Sequence, residues 1–396
     1  MSLAGFWLEN PRNLSLYAPP CRNSAMLTPF LLCGLVLFSQ SGPLPELARF
    51  DVQKMGVEGR AFVDEERLRF FDRFPKSAEK TIPESVWNLS RDSAGMFVRF
   101  RTDSKTIQVK YRLKSPSLAM PHMPATGKSG VDLYARDDKG KWRWVMVSVP
   151  TAQDVLVDFP SVRTDDAHQN REYGLYLPLY NGVDTMEIVV PKSARFEPLM
   201  VREKPLVFYG TSITHGACAS RPGMVHTALL GRMLDLPVVN LGFSGSGRMD
   251  LGVVAQMGKI DASVYIIDCL PNMGPDLVKE RTIPLVMALR KARPKTPIIL
   301  VEDRVFTNAW ANPAKSAFHK ANHAALRAAF NDLKTQGVAG LFYLEGTHLL
   351  GDDSEGATDA SHPNDLGFMR QAEAFEPVIR NALTLAQPLK IKRPGK

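Results

Sequence analysis

The fold class is indicated most clearly by the segment Pro205-Leu206-Val207-Phe208-Tyr209-Gly210-Thr211-Ser212-Ile213-Thr214-His215-Gly216. Its first part is apolar and partly β-branched, which is typical of a buried strand. A turn follows at once, and Ser212 lies on that turn. In open α/β sheets, ligands and reactive groups meet at the carboxyl ends of the strands. The stretch therefore predicts a strand that presents a hydroxyl group at the edge of a sheet.

Downstream of this serine, strand-like and helix-like runs alternate. The predicted strands are Leu206–Tyr209, Val238–Leu241, Ser263–Asp268, Ile298–Glu302 and Leu341–Leu344. The predicted helices are Pro222–Leu234, Pro275–Ala292, Ala314–Gln336 and Asp365–Leu385. Alternation of this kind indicates a mostly parallel sheet covered by helices on both faces.

The preceding region consists of short alternating runs separated by frequent turn signals. Met96–Phe100, Thr106–Tyr111 and Met186–Val190 are typical of strands, and Val131–Arg136 and Trp142–Val149 form a predicted hairpin. No long helical pattern interrupts them, which favours an antiparallel β-sandwich. We therefore divide the chain into a leader (1–45), a β-sandwich domain (46–202), an α/β domain (203–387) and a basic tail (388–396).

The composition is that of an ordinary globular protein, with 396 residues, 44% of them hydrophobic and 23% charged. The formal net charge is +8, but four cations crowd the C-terminal end: Lys390, Lys392, Arg393 and Lys396. A short basic end is usually a solvated tail, and no recognition motif accompanies it. We predict no nucleic-acid partner, and the sequence leaves the oligomeric state open.

The N-terminal run Met26–Phe38 is strongly apolar but too short to span a bilayer. Arg22 precedes it and small residues follow, as in a secretory signal. We predict an exported protein, periplasmic or extracellular, without stable membrane insertion once the leader is removed. A cytosolic protein with an apolar tail is the alternative. Two cysteines would remain, Cys218 and Cys269, which we interpret as buried thiols, with a disulfide as the alternative.

A second polar segment, Asp359-Ala360-Ser361-His362-Pro363, supplies what a serine needs to react. A hydroxyl becomes a nucleophile when a base takes its proton, and an imidazole base needs a carboxylate to fix its tautomer. We therefore predict Ser212 as nucleophile, His362 as base and Asp359 as the group that orients it. The G-x-S-x-G elbow of α/β-hydrolases is absent around Ser212.

Ester hydrolysis also needs N–H donors that face the developing oxyanion. Two loops that follow predicted strands offer them. The first is Gly242-Phe243-Ser244-Gly245-Ser246-Gly247, whose glycines let backbone approach a ligand. The second is Cys269-Leu270-Pro271-Asn272-Met273, in which the Asn272 amide is a donor.

These segments together resemble the four sequence blocks of the SGNH (GDSL-type) hydrolases, in the same order along the chain. The resemblance implies a flavodoxin-like three-layer αβα sheet, with the Ser212 N–H, the Gly245 N–H and the Asn272 amide as the oxyanion hole. In the third block Leu270 and Met273 replace the family's usual glycine and aspartate.

The upstream region also resembles a known module. Gly130-Val131-Asp132-Leu133-Tyr134 is similar to the Gly-x-Asp-Leu-Tyr signature of a β-domain that precedes one bacterial SGNH subgroup. The resemblance implies a serine esterase for acyl, especially acetyl, esters of small molecules or glycans, without metal or other cofactor. Two alternatives stay open: a lipase or phospholipase acting on longer chains, and a carbohydrate-binding protein whose catalytic domain is a relic.

Five further polar residues have competing interpretations. Asp303 and Arg304 follow the fourth predicted strand, where they either contact substrate or pair with each other. His319 and His323 have the spacing of a helical metal site, but we favour an exposed helix face. His215 is too close to Ser212 in sequence to be its base, and we interpret it as pocket wall or surface.

Overall fold

The computed structural model of the protein describes residues 45–162 and 170–386. The predicted basic tail and all but the last residue of the predicted leader lie outside these ranges. Within the described residues, no helix has both the length and the apolar character that crossing a membrane requires.

The first half of the chain forms two antiparallel sheets. Their strands are β1 (Leu47–Asp51), β2 (Val57–Glu58), β3 (Phe97–Thr102), β4 (Ile107–Leu113), β5 (Asp132–Arg136), β6 (Trp142–Val147), β7 (Asp154–Phe159), β8 (Arg171–Tyr176), β9 (Val183–Pro191) and β10 (Phe196–Pro198). One sheet has the order β1-β9-β4-β7, and the other has the order β10-β3-β8-β5-β6, with β2 beside β3. Two short helices, α1 (Glu84–Leu89) and α2 (Ala125–Lys128), interrupt the strands.

The core of this sandwich follows from the alternation of residue types along each strand. In β4, Ile107, Val109, Tyr111 and Leu113 are buried, whereas the residues between them are half-buried or exposed. These side chains pack with those of the facing sheet, such as Tyr173. The predicted hairpin is present, because β5 and β6 pair antiparallel. An antiparallel β-sandwich is therefore confirmed.

The second half is built on a parallel sheet of five strands in the order β12-β11-β13-β14-β15. The strands are β11 (Leu206–Gly210), β12 (Val238–Gly242), β13 (Val264–Asp268), β14 (Ile298–Val301) and β15 (Leu341–Leu344). The helices are α3 (Ser212–His215), α4 (His226–Leu234), α5 (Leu251–Lys259), α6 (Pro275–Ala292), α7 (Pro313–Thr335) and α8 (Asp365–Ala386). This strand order is that of the flavodoxin-like fold, as the resemblance to the SGNH hydrolases implies.

The sequence pattern does not predict helix α5. It has nine residues and contains Gly252 and Gly258, which have low helix propensity. It forms because the Asp250 carboxylate accepts a hydrogen bond from the Gly252 N–H at 2.9 Å and because Val253 and Met257 enter the core. Tertiary packing here outweighs local propensity.

The two halves share buried contacts. Phe74, Val86 and Trp87 of the first half belong to the hydrophobic cluster on one face of the parallel sheet. The buried Arg73 donates to the backbone carbonyls of Asn240, at 3.2 Å, and Gly242, at 2.7 Å, at the end of β12. The first half therefore packs against the sheet close to the loops that follow its strands.

The Gly130–Tyr134 motif joins the halves at a second place. The Asp132 carboxylate is fully buried and accepts hydrogen bonds from Trp144 Nε1 at 2.8 Å, Arg221 Nη1 at 2.9 Å and Gly223 N at 2.8 Å. The Tyr134 ring lies against Gly223, where an added Cβ would come within 2.4 Å of ring atoms. Only glycine fits that contact. The motif thus fixes the segment that leads from the nucleophile's helix to α4.

We expect Asp132→Ala to destabilise the protein by about 3–5 kcal/mol, because it leaves buried donors, Arg221 among them, without their acceptor. Chemical denaturation monitored by tryptophan fluorescence would measure the loss. Asp154→Ala is the matched control: its ion pair with Arg112 is solvent-exposed, and such pairs contribute little. Equal stability of the two variants would contradict the structural role of the motif.

Candidate active site

The predicted nucleophile and base are in direct contact. Ser212 Oγ lies 2.8 Å from His362 Nε2, and His362 Nδ1 lies 2.8 Å from Asp359 Oδ2. Ser212 begins α3 directly after β11, and its side chain is mostly buried. The fold therefore brings Ser212 and His362, which are 150 positions apart in sequence, into hydrogen-bonding contact. Asp359 extends this series of hydrogen bonds to a carboxylate.

The loop that carries the base is held in one conformation. Backbone pairing between Ala357 and Pro363 closes it. Inside it, Asp359 Oδ1 accepts hydrogen bonds from the N–H groups of Ser361, at 3.0 Å, and His362, at 2.7 Å. Ala360 has a left-handed conformation, with φ of 67°. Both carboxylate oxygens of Asp359 are thus used, one for the backbone turn and one for the imidazole.

These contacts keep Asp359 charged. Partial burial acts to raise the pKa of Asp359, but the hydrogen bonds from the His362 backbone and ring and from the Ser361 N–H outweigh it and lower that pKa to about 2. The carboxylate is therefore ionised throughout the neutral range. A permanent negative charge beside Nδ1 keeps the proton there and leaves Nε2 to accept the serine proton.

Several groups fix the nucleophile's helix. Thr211 caps it by accepting from Ile213 N at 3.3 Å, and the Tyr180 hydroxyl donates to the carbonyl of Ser212 at 3.0 Å. The Asn240 amide donates to Thr214 O at 2.6 Å. Thr214 Oγ1 in turn donates to Asp268 at 3.1 Å. Tyr180, from the first half of the chain, carries no sequence signal that would have identified it.

The loop after β12 forms a tight turn at Gly245. The N–H groups of Ser246 and Gly247 both reach Phe243 O at 3.0 Å. Gly245 has φ of 66°, which side-chain-bearing residues rarely adopt. Within the described residues, the Gly245 N–H donates to no backbone or side-chain acceptor. Because Phe243 N donates to Gly210 O at 3.0 Å, this turn is tied to the end of β11, next to Ser212.

Asn272 connects the same turn to the loop after β13. With the Asn272 amide oriented so that its oxygen faces N–H donors, that oxygen lies 3.1 Å from Ser246 N and 3.2 Å from Gly247 N and shares both with Phe243 O. In this orientation the Asn272 oxygen faces N–H donors of the neighbouring loop. The Asn272 NH2 group is then left to donate to a ligand. The three predicted oxyanion donors thus lie on loops that bind one another.

The departures from the family pattern around Asn272 have a packing explanation. Leu270 and Met273 are buried in the hydrophobic cluster beneath the loop, and the Asn322 amide donates to Met273 O at 2.8 Å. Pro271 lies within the same short 3-10 turn. Apolar burial therefore anchors this loop at the two positions where the SGNH pattern has glycine and aspartate, and Asn272 keeps its place.

Asp303 and Arg304 pair with each other, and both are almost fully buried. Arg304 also donates to Ser361 O at 3.0 Å and Ser361 Oγ at 2.7 Å. Burial lowers the pKa of Arg304 to about 10, against the opposing effect of Asp268 and Asp359, so the guanidinium stays charged at neutral pH. The structure therefore shows the ion-pair alternative, and Arg304 supports the loop that holds His362.

The two histidines of α7 do not lie on an exposed face, so that interpretation is wrong. His319 is buried and accepts from Phe306 N at 3.2 Å, and half-buried His323 donates to Asp303 O at 2.7 Å. The helix turns this face toward the end of β14 rather than toward solvent. Among the described residues, no group of three or more His, Cys, Asp or Glu side chains is arranged to hold a metal.

The remaining candidates are core residues. His215 is fully buried, stacks on Tyr180 with ring centroids 3.9 Å apart, and contacts Leu179 O at 2.7 Å. Burial, with the nearby Arg73, lowers the pKa of His215 well below its usual range. A surface position is therefore wrong. Cys218 and Cys269 are buried free thiols, as interpreted from the sequence.

Comparison with known families assigns both halves of the chain. Residues 203–380 match the GDSL-like lipase/acylhydrolase family. Residues 48–196 match the N-terminal region of SGNH-hydrolase-type esterases that carries the Gly-x-Asp-Leu-Tyr signature. No curated protein sequence matches the chain.

Three solved structures that are similar over most of the chain carry different descriptions. A protein from Bacteroides ovatus described as a GDSL-like lipase is 32% identical, with a TM-score of 0.79 over 86% of this chain and 98% of that chain. The salicylyl-acyltransferase SsfX3 from a tetracycline biosynthetic pathway is 17% identical, with a TM-score of 0.67 over 85% and 97%. A family two carbohydrate esterase from Cellvibrio japonicus is 12% identical, with a TM-score of 0.55 over 87% and 100%.

Proposed function

Because this chain belongs to the GDSL-like lipase/acylhydrolase (SGNH) family, we propose that it is an exported serine esterase that removes acetyl groups from carbohydrate esters. That it is an ester-hydrolysing enzyme follows from the family. The observation that carries the mechanism is the contact of Ser212 Oγ with His362 Nε2 at 2.8 Å, backed by Asp359.

In the first step His362 takes the proton of Ser212 as Oγ attacks the ester carbonyl. The carbonyl oxygen becomes an oxyanion, which the N–H groups of Ser212 and Gly245 and the Asn272 amide stabilise. When the tetrahedral intermediate collapses, the bond to the alcohol oxygen breaks. His362 gives its proton to that oxygen, and the acyl group stays on Ser212.

In the second step the same groups work in reverse order. His362 takes a proton from water, the resulting hydroxide attacks the acyl-enzyme carbonyl, and the oxyanion forms at the same donors. Collapse releases the carboxylic acid and returns the proton to Ser212 Oγ. Asp359 keeps the imidazole oriented and stabilises the imidazolium that forms in each step.

The substrate class is supported by fold-level likeness and by the predicted leader. The Cellvibrio japonicus carbohydrate esterase shares this fold over 87% of the chain. A secretory leader would place the enzyme where polymeric glycans are met. The acyl group and the alcohol are tested separately.

The test is acetate release from a panel of acetylated glycans, together with a series of 4-nitrophenyl esters of increasing acyl length. We expect kcat/KM to fall steeply beyond acetate and free acetate to appear from at least one glycan. Higher activity on long chains would favour the lipase alternative. Absence of turnover on every ester, with glycan binding retained, would favour the relic alternative.

The oxyanion role of Asn272 predicts a specific kinetic change. Asn272→Ala should lower kcat by about 10²–10³-fold with little change in KM, because the donor acts on the charge that develops in the transition state. Steady-state kinetics on 4-nitrophenyl acetate would measure it. A raised KM with unchanged kcat would instead assign Asn272 to ground-state binding.

A further inference from the structure

A turn from the first half of the chain reaches the catalytic base. His122 lies on the segment between β4 and α2, and its ring centroid is 6.0 Å from that of His362, with the two planes tilted by 32°. The His122 side chain is exposed. Within the described parts of the chain, neither of its ring nitrogens has a hydrogen-bond partner. An imidazole with both nitrogens available therefore lies beside the ring of His362.

The turn that carries His122 is fixed. Met120 and Met123 exchange two backbone hydrogen bonds, of 2.9 and 3.0 Å, which leaves Pro121 and His122 at the tip. Lys128 Nζ donates to the carbonyl of Ala119 at 3.3 Å, just before the turn.

The base of this turn belongs to the packing around the nucleophile. The Met123 side chain is buried in the same hydrophobic cluster as Ile213 and Ala219, which follow Ser212 in the chain. The position of His122 relative to the site is thus set by core contacts and not by a mobile loop.

The position of His122 beside His362 is relevant to the alcohol portion of the ester. His362 Nε2 delivers its proton to the departing alcohol oxygen, so that oxygen must lie beside Nε2, close to the plane of the imidazole. With ring centroids 6.0 Å apart, the His122 side chain is close enough to the His362 ring to contact an alcohol group held beside that ring. A neutral imidazole offers one donor and one acceptor, which suits a sugar hydroxyl or ring oxygen.

We propose that His122 binds the alcohol portion of the ester, a hydroxyl-bearing sugar, and so makes the β-sandwich half a contributor to substrate specificity. This inference rests on the proposed esterase function. In this proposal the leaving alcohol is bound by His122, a residue that lies outside the four hydrolase sequence blocks.

The experiment compares two acetyl esters that differ only in the alcohol, acetylated xylo-oligosaccharides and 4-nitrophenyl acetate. His122→Ala should lower kcat/KM for the oligosaccharide about tenfold, the effect of losing one hydrogen bond at the strong end of the usual range. Its kcat/KM for 4-nitrophenyl acetate should stay within about twofold, since the aryl alcohol has no hydroxyl for His122 to bind.

Two further variants separate hydrogen bonding from shape. His122→Gln keeps a donor and an acceptor and should recover most of the oligosaccharide activity, whereas His122→Phe keeps the ring and should not. Since the side chain is exposed, all three variants should unfold at the wild-type temperature.

Equal losses on both esters, or no loss on either, would overturn the inference. A wild-type enzyme that cleaves 4-nitrophenyl acetate but not the oligosaccharide would also overturn the inference about His122. That result would still be consistent with an esterase. A wild-type enzyme inactive on both esters and on every other ester of the panel would refute the proposed function itself.

Discussion

Replacing Ser212 with alanine should lower kcat for ester hydrolysis by about 10⁴–10⁶-fold, because the acyl-enzyme can no longer form. The expected fold is unchanged, since the hydroxyl's only hydrogen-bond partner among the described side chains is His362. Hydrolysis of 4-nitrophenyl acetate measures the loss. The small residual rate would come from binding and the oxyanion donors alone.

Ser77→Ala is the matched control, since that exposed hydroxyl donates to Glu65 at 2.8 Å, away from the catalytic residues, and should not affect turnover. A Ser212→Ala enzyme that kept more than about a hundredth of wild-type activity, far above the residual rate of such variants, would contradict the assignment of the nucleophile.

Replacing Asp359 with asparagine should lower kcat by about 10³–10⁴-fold while KM changes little. The asparagine oxygen can still accept from the backbone of Ser361 and His362, so the loop keeps its shape. Its NH2 group, however, cannot accept the Nδ1 proton, and the imidazole then adopts the tautomer that cannot take a proton from Ser212. Steady-state kinetics at pH 7–8 would show the effect.

Asp352→Asn provides the comparison for this second variant. Asp352 is an exposed carboxylate that pairs with His348 at 2.8 Å, in the same segment after β15, and its loss should leave kcat near the wild-type value. If Asp359→Asn were also fully active, the carboxylate would serve the turn only and not the base.

The reacting groups could be predicted because each follows a strand of one parallel sheet. Carboxyl ends of parallel strands meet at one edge, so Ser212, Gly245 and Asn272 had to lie near one another once the strands were identified. The strand bounds agree within about two residues, and α6 spans the predicted Pro275–Ala292. The strands and helices of the parallel-sheet half could therefore be predicted from local residue types.

What could not be predicted depends on contacts between distant segments. His122 and Tyr180 reach the site only because the β-sandwich half packs against the hydrolase half. The burial of His319 depends on which face α7 turns toward Asp303, and a spacing of four residues does not give that direction. Arg304 was visible as a candidate, but its role in holding Ser361 required the fold of the loop.

The central claim, that Ser212 is the activated nucleophile, is tested most directly by covalent labelling. The intact protein would be treated with a fluorophosphonate, which reacts with activated serines, and its peptides would be mapped by mass spectrometry. We expect a single phosphonate adduct on the peptide containing Ser212 and complete loss of hydrolysis as that adduct forms. An adduct on another serine, or full labelling of Ser212 with hydrolysis retained, would contradict it.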